Sequence, residues 1–146
     1  MTSIRPEDCT APPSEIAAPY LQKDLGVQQC PAPEGWRVLT VSSDSNSWID
    51  VVGPGISWSG ERPIVYESPI GNFPSVGAPP TLEWRRNSGL HVTALIIPVT
   101  AQNRETFKTD QTAFYVVRFQ SGKACVAGRP ATLEAARTIA ESTKGC

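Results

Sequence analysis

The chain has 146 residues, of which 40% are hydrophobic and 18% charged, and its formal net charge is −1. This length is typical of one domain with a single core, and the low charged fraction is typical of a small secreted domain. The interspersed charges form no basic stripe, which argues against nucleic-acid binding. No stretch has the roughly eighteen apolar residues that a membrane span requires, so we expect none.

Residues 1–35 are rich in proline and alanine. We expect them to form an irregular N-terminal lobe. Only residues 14–25 have the composition of a helix, with Ser14 as the N-cap, and Pro19 should limit that helix to short turns.

Residues 36–41 and 47–52 are rich in β-branched and aromatic side chains, which is typical of strands. The segment between them, Ser-Ser-Asp-Ser-Asn, consists of turn-forming residues. The pattern therefore predicts a hairpin over 36–52. Residues 53–55, Gly-Pro-Gly, should end its second strand as a simple turn, because no phosphate-binding lysine follows them.

Residues 56–81 contain many prolines and glycines and predict a long loop, with a short strand only at 64–66. Long loops of this kind often bind ligands. Trp58, Tyr66 and Phe73 lie in it, and aromatic rings need something to pack against. They either pack inward, which we favour, or contact a ligand.

Residues 82–86 and 90–97 predict a second hairpin, connected by Asn87-Ser88-Gly89. We expect Arg86 to lie opposite Leu90, and Pro98 to end the second strand or place it at an edge. One face of the hairpin should then be apolar and the other should partly face water. The apolar face holds Leu82, Trp84, Val92 and Ala94, and the opposite face holds Glu83, Arg85 and His91.

The last third of the chain predicts a hairpin followed by a helix. Strands at 112–119 and 123–127 should be joined by a three-residue turn at 120–122, which would pair Val117 with Cys125. Both faces of this hairpin are apolar, so we expect it at the centre of the sheet. Thr132 is a predicted N-cap for a helix ending near residue 143. Its apolar face holds Leu133, Ala136, Ile139 and Ala140.

Four cysteines lie at positions 9, 30, 125 and 146. Sequence alone allows several disulfide pairings. We favour Cys9–Cys30 and Cys125–Cys146, because a bridge within each end of the chain would hold a terminus in place. The rival interpretation, a zinc site, lacks a Cys-x-x-Cys motif, so we expect neither a metal nor a cofactor.

Disulfides indicate an oxidising compartment, which predicts a periplasmic or secreted protein. The residues after Met1 (Thr-Ser-Ile-Arg-Pro-Glu-Asp) lack the apolar segment of a signal peptide. We therefore expect Met1 to stand where an export signal has been removed.

The residues that could carry chemistry are few. Glu83, Arg85 and His91 would share a sheet face, and a solvated set of charges is the simpler interpretation of them. A small hydrolase that uses Glu83 and His91, or the loop carboxylates Glu61 and Glu67, is the alternative. Trp48, Trp58 and Trp84 could form a platform for a sugar or a peptide, although tryptophans more often pack in a core.

Short motifs along the whole chain resemble a group of small exported proteins of unknown function from alphaproteobacteria. The motifs are Cys30-Pro-x-Pro-Glu-Gly-Trp-Arg-Val38, Glu83-Trp84-Arg85, Ala124-Cys-Val-Ala127 and the spacing from Ala135 to Cys146. The resemblance implies a periplasmic location and a cysteine-bridged domain, and it implies no active site.

We predict an α+β fold. A twisted antiparallel sheet of about five to seven strands should carry one C-terminal helix, and disulfides should fasten the single domain 1–146. Within it we expect the lobe at 1–35, the sheet at 36–127 with its loop at 56–81, and the helix at 130–146.

For function we predict a binding or protein-interaction module rather than an enzyme. Its partner would be another envelope protein, with an envelope hydrolase inhibited by it as one case, or a cell-wall fragment. The candidate binding residues are Trp58, Tyr66, Phe73, Glu83, Arg85 and His91.

Overall fold

The computed structural model describes residues 1–142. Within them the fold is α+β, with two antiparallel sheets and a helix near each end, which confirms the predicted fold class. Neither of these α-helices is long and apolar enough to cross a bilayer. In chain order the elements are β1 (Thr2–Ser3), α1 (Ser14–Leu21), β2 (Gly26–Cys30), β3 (Arg37–Ser42), β4 (Ser47–Gly53), β5 (Ile56–Ser59), β6 (Asn72–Val76), β7 (Thr81–Arg86), β8 (Val92–Gln102), β9 (Gln111–Gln120), β10 (Lys123–Gly128) and α2 (Leu133–Glu141).

The strands divide into a larger and a smaller sheet. The larger one has six strands in the order β1-β7-β8-β9-β10, and β6 pairs with the far end of β8. The smaller one has four, in the order β2-β3-β4-β5. The predicted hairpin over 36–52 is confirmed, since Leu39 pairs with Asp50 and Val41 with Trp48. The sequence pattern predicted one sheet and did not indicate that this hairpin belongs to a separate one.

The two sheets share one apolar core. Val38 and Val51 of the small sheet and Leu95, Ile97 and Tyr115 of the large sheet are all fully buried in it. Apolar side chains removed from water in this way supply most of the free energy that stabilises the fold.

Helix α2 covers the other face of the large sheet. Ala136 and Ala140 pack there against Ala94, Ile96 and Val116. These small side chains let the helix approach the strands closely. The predicted N-cap is confirmed, because the Thr132 hydroxyl accepts a hydrogen bond of 3.2 Å from the amide of Ala135.

The N-terminal residues are more regular than their composition predicted. Residues 1–35 contain β1, α1 and β2, and β2 is a full strand of the small sheet. Ser14 begins α1 but does not cap it; the N-cap position is Pro13. Pro19 lies in the last turn, where it lacks the amide that would donate to the Glu15 carbonyl, and the helix ends at Leu21.

The predicted register of the second hairpin was wrong. Trp84 pairs with Leu95 and Arg85 with Ala94, whereas Arg86 pairs with Val92. Thr93 is therefore an extra residue in a β-bulge, which reverses the alternation of faces along β8. As a consequence Ala94 faces α2 instead of the shared core, and the loop runs from residue 87 to 91.

The last hairpin also differs from its prediction. Its turn has two residues, Ser121 and Gly122, which both have positive φ angles of 53° and 75°. Turns of this kind fit the twist of a hairpin, so Cys125 pairs with Arg118 and not with Val117. The strand β10 lies at the edge of the sheet, so only β9 of the two strands in this hairpin is internal.

Pro98 neither ends β8 nor places it at an edge, contrary to the prediction. It pairs with Phe114 of β9, whose amide points away from β8 and donates to the carbonyl of Pro130. The nitrogen of Pro98 therefore also points away from β9. On the side of β8 that faces away from β9, Pro98 lies between the residues that pair with β7 and those that pair with β6. Its missing amide therefore removes no hydrogen bond between strands.

Residues 56–81 are mostly ordered elements and not one long loop. They form β5, a single π-helical turn over Glu61–Tyr66, and β6. The short strand predicted at 64–66 is thus wrong, because these residues belong to the helical turn, whose Ile64 side chain is fully buried.

Cys9 and Cys30 form the predicted disulfide. It fastens the segment before α1 to the edge strand β2. The second predicted bridge, Cys125–Cys146, involves a residue outside the described part of the chain.

Candidate binding surface

Three large aromatic side chains are exposed on two neighbouring segments, 66–73 and 103–110. The exposed fractions are 69% for Tyr66, 54% for Phe73 and 67% for Phe107. We call these three residues the aromatic loop surface. Exposed aromatic rings are enriched where proteins bind partners, because each offers a large contact area with few rotatable bonds.

The backbone brings the two segments together where β6 begins and β8 ends. Asn72 pairs with Gln102, and the Asn72 side-chain amide donates to the Gln102 side-chain oxygen at 3.3 Å. Gln102 in turn donates to the carbonyl of Phe107 at 3.1 Å. At Gly71 the chains approach so closely that a Cβ atom would lie 2.3 Å from the Gln102 carbonyl oxygen, so only glycine fits.

Arg104 connects the segments a second time. Its Nη2 atom donates to the carbonyl of Ser68 at 2.6 Å and to that of Gly71 at 3.3 Å. One guanidinium therefore joins the loop after β8 to the loop before β6. These bonds hold Tyr66 and Phe73 in place relative to Phe107.

The segment 103–110 is also held by its own hydrogen bonds. The Asn103 side-chain oxygen accepts from the amides of Glu105 at 2.8 Å and Thr106 at 3.2 Å. The Asn103 carbonyl accepts from the amide of Phe107 at 2.9 Å. The loop is thus a compact turn that leaves the Phe107 side chain exposed to solvent.

Two of these aromatic residues have a strained backbone. Phe73 has a φ of 50° and Phe107 a φ of 60°, in the left-handed region that bulky residues rarely adopt. Phe73 also lies in a β-bulge, between the pairs Asn72–Gln102 and Ser75–Thr100. Strain and bulges concentrate at functional sites, where they aim a side chain.

Of the three candidate aromatic residues in 56–81, Trp58 packs inward as expected, against the shared core. Tyr66 and Phe73 point outward, so inward packing was the wrong expectation for them. The tryptophan platform does not form. Trp48 is buried, and Trp84 contacts Trp36 edge-on at 5.5 Å.

Glu83 is buried, and it binds Arg137 of α2. Arg137 Nη2 lies 2.7 Å from Glu83 Oε1, and Arg137 Nε lies 2.9 Å from Oε2. These hydrogen bonds lower the pKa of Glu83 against the opposing effect of burial, and the charges of Arg137 and Arg85 lower it further. The predicted face that meets water is instead covered by a helix at this point.

Arg85 bridges the sheet and the end of α2. It donates to Glu83 at 3.2 Å and to Glu141 at 2.8 Å. Beside it, the buried Arg118 donates to the carbonyls of Ile139 and Ser142 at the C-terminus of the helix. A cation at this end of a helix is favourable for the helix dipole. The cluster therefore fixes α2 to the sheet.

His91 does not join Glu83 and Arg85. It is exposed in the loop 87–91 and lines a small pocket with Trp36 and Phe119, on the side of the shared core. His91 is the last residue of this loop and lies opposite Asn87 instead of Arg85, because its carbonyl accepts from the Asn87 amide at 3.0 Å. The geometry therefore offers no pair of Glu83 and His91 for acid–base chemistry.

The two loop carboxylates, Glu61 and Glu67, do not line the same cleft. Glu61 lines a cleft beside α1, together with Tyr20 and Asp50. Glu67 is exposed after the π-helical turn and does not line that cleft. Among residues 1–142, no group of three or more histidine, cysteine or acidic side chains is arranged to hold a metal ion.

Phe107 and Arg104 were not among the predicted binding residues. Both lie in the polar segment 103–110, between the last two predicted hairpins. A single phenylalanine among polar residues was the available signal, since such a ring must either pack or bind.

The chain matches no protein-family model, no curated protein and no solved structure.

Proposed function

We propose that this chain is a periplasmic or secreted protein-interaction module that binds a partner protein through the aromatic loop surface. The observation that carries the proposal is the exposure of Tyr66, Phe73 and Phe107 on two segments that are joined by hydrogen bonds of Arg104. The partner is an envelope hydrolase, and the aromatic side chains enter its cleft and block it.

The aromatic loop surface suits a concave partner. A few aromatic anchors usually supply most of the free energy of binding at an interface. Loops that are already ordered lose little entropy on binding, so more of that energy appears as affinity. The bonds of Arg104 to Ser68 and Gly71 supply this preorganisation.

The backbone at Phe73 and Phe107 supports a role in binding rather than in folding. Glycine or asparagine would adopt these φ angles with less strain, and neither ring is buried. A bulky ring in this conformation lowers stability without contributing to the core. A gain in binding accounts for its presence.

The Cys9–Cys30 disulfide supports an exported protein. Disulfides form and persist in the periplasm and outside the cell, whereas cytosolic thiols are kept reduced. The bond joins two parts of the N-terminal region and leaves the aromatic loop surface open.

The test is capture of partners from envelope extract on immobilised protein, followed by mass spectrometry. The wild-type chain is compared with a Tyr66→Ser, Phe73→Asn, Phe107→Asn triple variant. The matched control is Leu90→Ser, since Leu90 is also exposed and also has a positive φ but lies in another loop. We expect a hydrolase that the wild type and the control both retain and that the triple variant loses.

The captured enzyme is then assayed with purified protein. We expect inhibition by the wild type, and a loss of affinity of about 100-fold or more in the triple variant, as for the removal of two or more anchors. Capture that does not depend on the three aromatic residues, or binding of soluble cell-wall fragments with no protein partner, would contradict the proposal.

A further inference from the structure

A cation lies on the same surface as the three exposed aromatic rings. Arg104 is exposed, and its Nη2 atom donates to two backbone carbonyls in the stretch of chain between Tyr66 and Phe73. Arg104 also belongs to the loop that carries Phe107. The guanidinium is therefore held in place beside the aromatic loop surface, because the same hydrogen bonds that join the two segments also position its charge.

Most of this guanidinium has no partner within the described chain. Among residues 1–142, the Nε and Nη1 atoms of Arg104 make no hydrogen bond, and no carboxylate lies within 4.0 Å of its nitrogens. An arginine has five N–H groups and always carries its charge. The N–H groups on Nε and Nη1 are thus available to an acceptor on another molecule.

The charge of Arg104 acts over a short distance only. The same two segments also contain Lys108 and three acidic residues, Glu67, Glu105 and Asp110. The surface as a whole therefore does not attract anions over long distances. A partner gains from this cation only where it brings an acceptor into direct contact with Arg104.

Aromatic rings beside one cation match the active site of a glycoside hydrolase. Such an enzyme usually holds two carboxylates at the bond that it cuts, and positive charge develops on the sugar in the transition state. The flat rings of the aromatic loop surface can take the place of sugar rings in the cleft, and the guanidinium can take the place of the developing charge. A cleft built around a zinc ion would instead repel a guanidinium.

We propose that the aromatic loop surface inhibits a glycoside hydrolase, and that Arg104 pairs with one of the two active-site carboxylates of that enzyme. This inference rests on the proposed function, because it names the class of envelope hydrolase that the surface blocks. Arg104 then has two roles. Its Nη2 atom joins the two segments, while Nε and Nη1 face the enzyme.

The experiment uses lysozyme as the probe, since its active site holds two carboxylates. Its cleavage of cell-wall glycan is measured against the concentration of the purified chain. We expect saturable inhibition with a Kd of about 10 µM or lower. The Tyr66→Ser, Phe73→Asn, Phe107→Asn triple variant should not inhibit, and a zinc-dependent cell-wall peptidase assayed in parallel should keep its activity.

A double-mutant cycle separates the charge contact from the role of Arg104 in joining the segments. The affinities of wild type and Arg104→Gln are measured for lysozyme and for lysozyme variants in which each active-site carboxylate in turn is replaced by its amide. Loosened segments lower the affinity for all these enzymes equally, whereas a lost charge contact does not. We expect a coupling of about ten-fold or more with one of the two carboxylates.

Lys108→Gln is the matched control, because it removes a positive charge from the same loop and should show no coupling to either carboxylate. The amide NMR spectrum of each variant verifies its fold. A lack of lysozyme inhibition, or a coupling below about two-fold with both carboxylates, overturns this inference. Capture of a metal-dependent hydrolase through the three aromatic residues overturns it too, although that result supports the proposed function. Failure to capture any hydrolase contradicts both.

Discussion

Arg137 of α2 holds Glu83 of β7 through both carboxylate oxygens, with Nη2–Oε1 and Nε–Oε2 distances of 2.7 and 2.9 Å. The pair lies 54 positions apart in the chain and joins the last helix to the second strand of the large sheet. Arg85 adds a third contact from the neighbouring position on the same face. Glu83 and Arg85, which were predicted as candidate binding residues, therefore fix the helix to the sheet.

The first prediction concerns the strength of this anchor. Glu83→Gln keeps the size of the side chain but removes its charge and replaces one of the two acceptor oxygens that Arg137 and Arg85 share with an amide donor. We expect the free energy of unfolding to fall by roughly 1–2 kcal/mol, because the hydrogen bonds are charge-assisted but Arg137 is partly exposed to solvent. Urea denaturation measures this change. Glu34→Gln, an exposed carboxylate outside any ion pair among residues 1–142, is the control and should be neutral.

The second prediction is a dependence on pH. The pKa of Glu83 is lower in the folded chain than its usual value of 4.5, chiefly because Arg137 hydrogen-bonds the ionised form. The unfolded chain therefore takes up the proton first as the pH falls. The stabilisation is fully present above about pH 4.5 and is lost as the pH falls through the lower folded pKa.

The stability difference between wild type and Glu83→Gln should thus be constant from pH 7 to about pH 5 and should shrink below pH 4.5. Denaturation midpoints of both proteins at a series of pH values measure it. A difference that stays the same down to pH 3 would show that Glu83 does not carry the charge effect.

Elements defined by local signals were predictable. The hairpin over 36–52 has strand-forming residues on both sides of a polar turn, and its paired residues match the pattern. Thr132 precedes an amphipathic segment and caps α2 as expected. In both cases the residues that specify the element are adjacent in the chain, so their pattern is sufficient.

The remaining features depend on single residues whose effect is not local. The bulge at Thr93 moves every later side chain of β8 to the opposite face of the sheet from the one predicted. No pattern of hydrophobic residues in the sequence predicts this bulge. The length of the loop 87–91 was also not predicted, and it places His91 opposite Asn87, away from Glu83. The covering of Glu83 by Arg137 arises only once α2 packs on the sheet, which the sequence order does not specify.

The candidate site was half predictable. Tyr66 and Phe73 stood out because aromatic rings in a segment of prolines and glycines require an explanation. Phe107 and Arg104, whose guanidinium joins the two segments, did not stand out in the sequence. Their position beside the first segment depends on the pairing of β6 with the far end of β8. Such long-range pairing brings distant loops together without a local signal.

The third prediction concerns Arg118. Its guanidinium is buried and donates to the carbonyls of Ile139 and Ser142 at the C-terminal end of α2, where carbonyls lack the amide four residues later that a longer helix would supply. Arg118→Gln should lower the free energy of unfolding by about 1–3 kcal/mol. Hydrogen exchange should also accelerate for the amides in the last turn of α2. Arg86→Gln, on an exposed residue of the neighbouring hairpin, should leave both measurements unchanged.

The fourth prediction concerns the Cys9–Cys30 bond, whose two cysteines lie 21 positions apart. A Cys9→Ala, Cys30→Ala double variant should lose about 3 kcal/mol of stability, because the bond restricts the unfolded chain. Guanidinium denaturation of wild type and variant measures the loss. Reductant should then have a smaller effect on the double variant than on the wild type, and an equal effect on both would contradict this role.

The fifth prediction separates stability from binding at Phe107. Its φ of 60° costs a bulky residue about 1–2 kcal/mol, and asparagine adopts this conformation more easily. Phe107→Asn should therefore raise the free energy of unfolding by up to about 1 kcal/mol. The comparison variant is Phe107→Ala, which removes the ring but keeps the strain, so it should not gain stability.

Both Phe107 variants remove the same aromatic side chain, so both should weaken binding to the captured partner to a similar extent. Thermal denaturation and a binding titration on the same samples measure the two effects. A gain in stability with a loss of affinity is the pattern of a residue that serves an interface at a cost to the fold. If Phe107→Asn instead destabilises the protein, the ring contributes to packing, and the aromatic loop surface loses one of its three members.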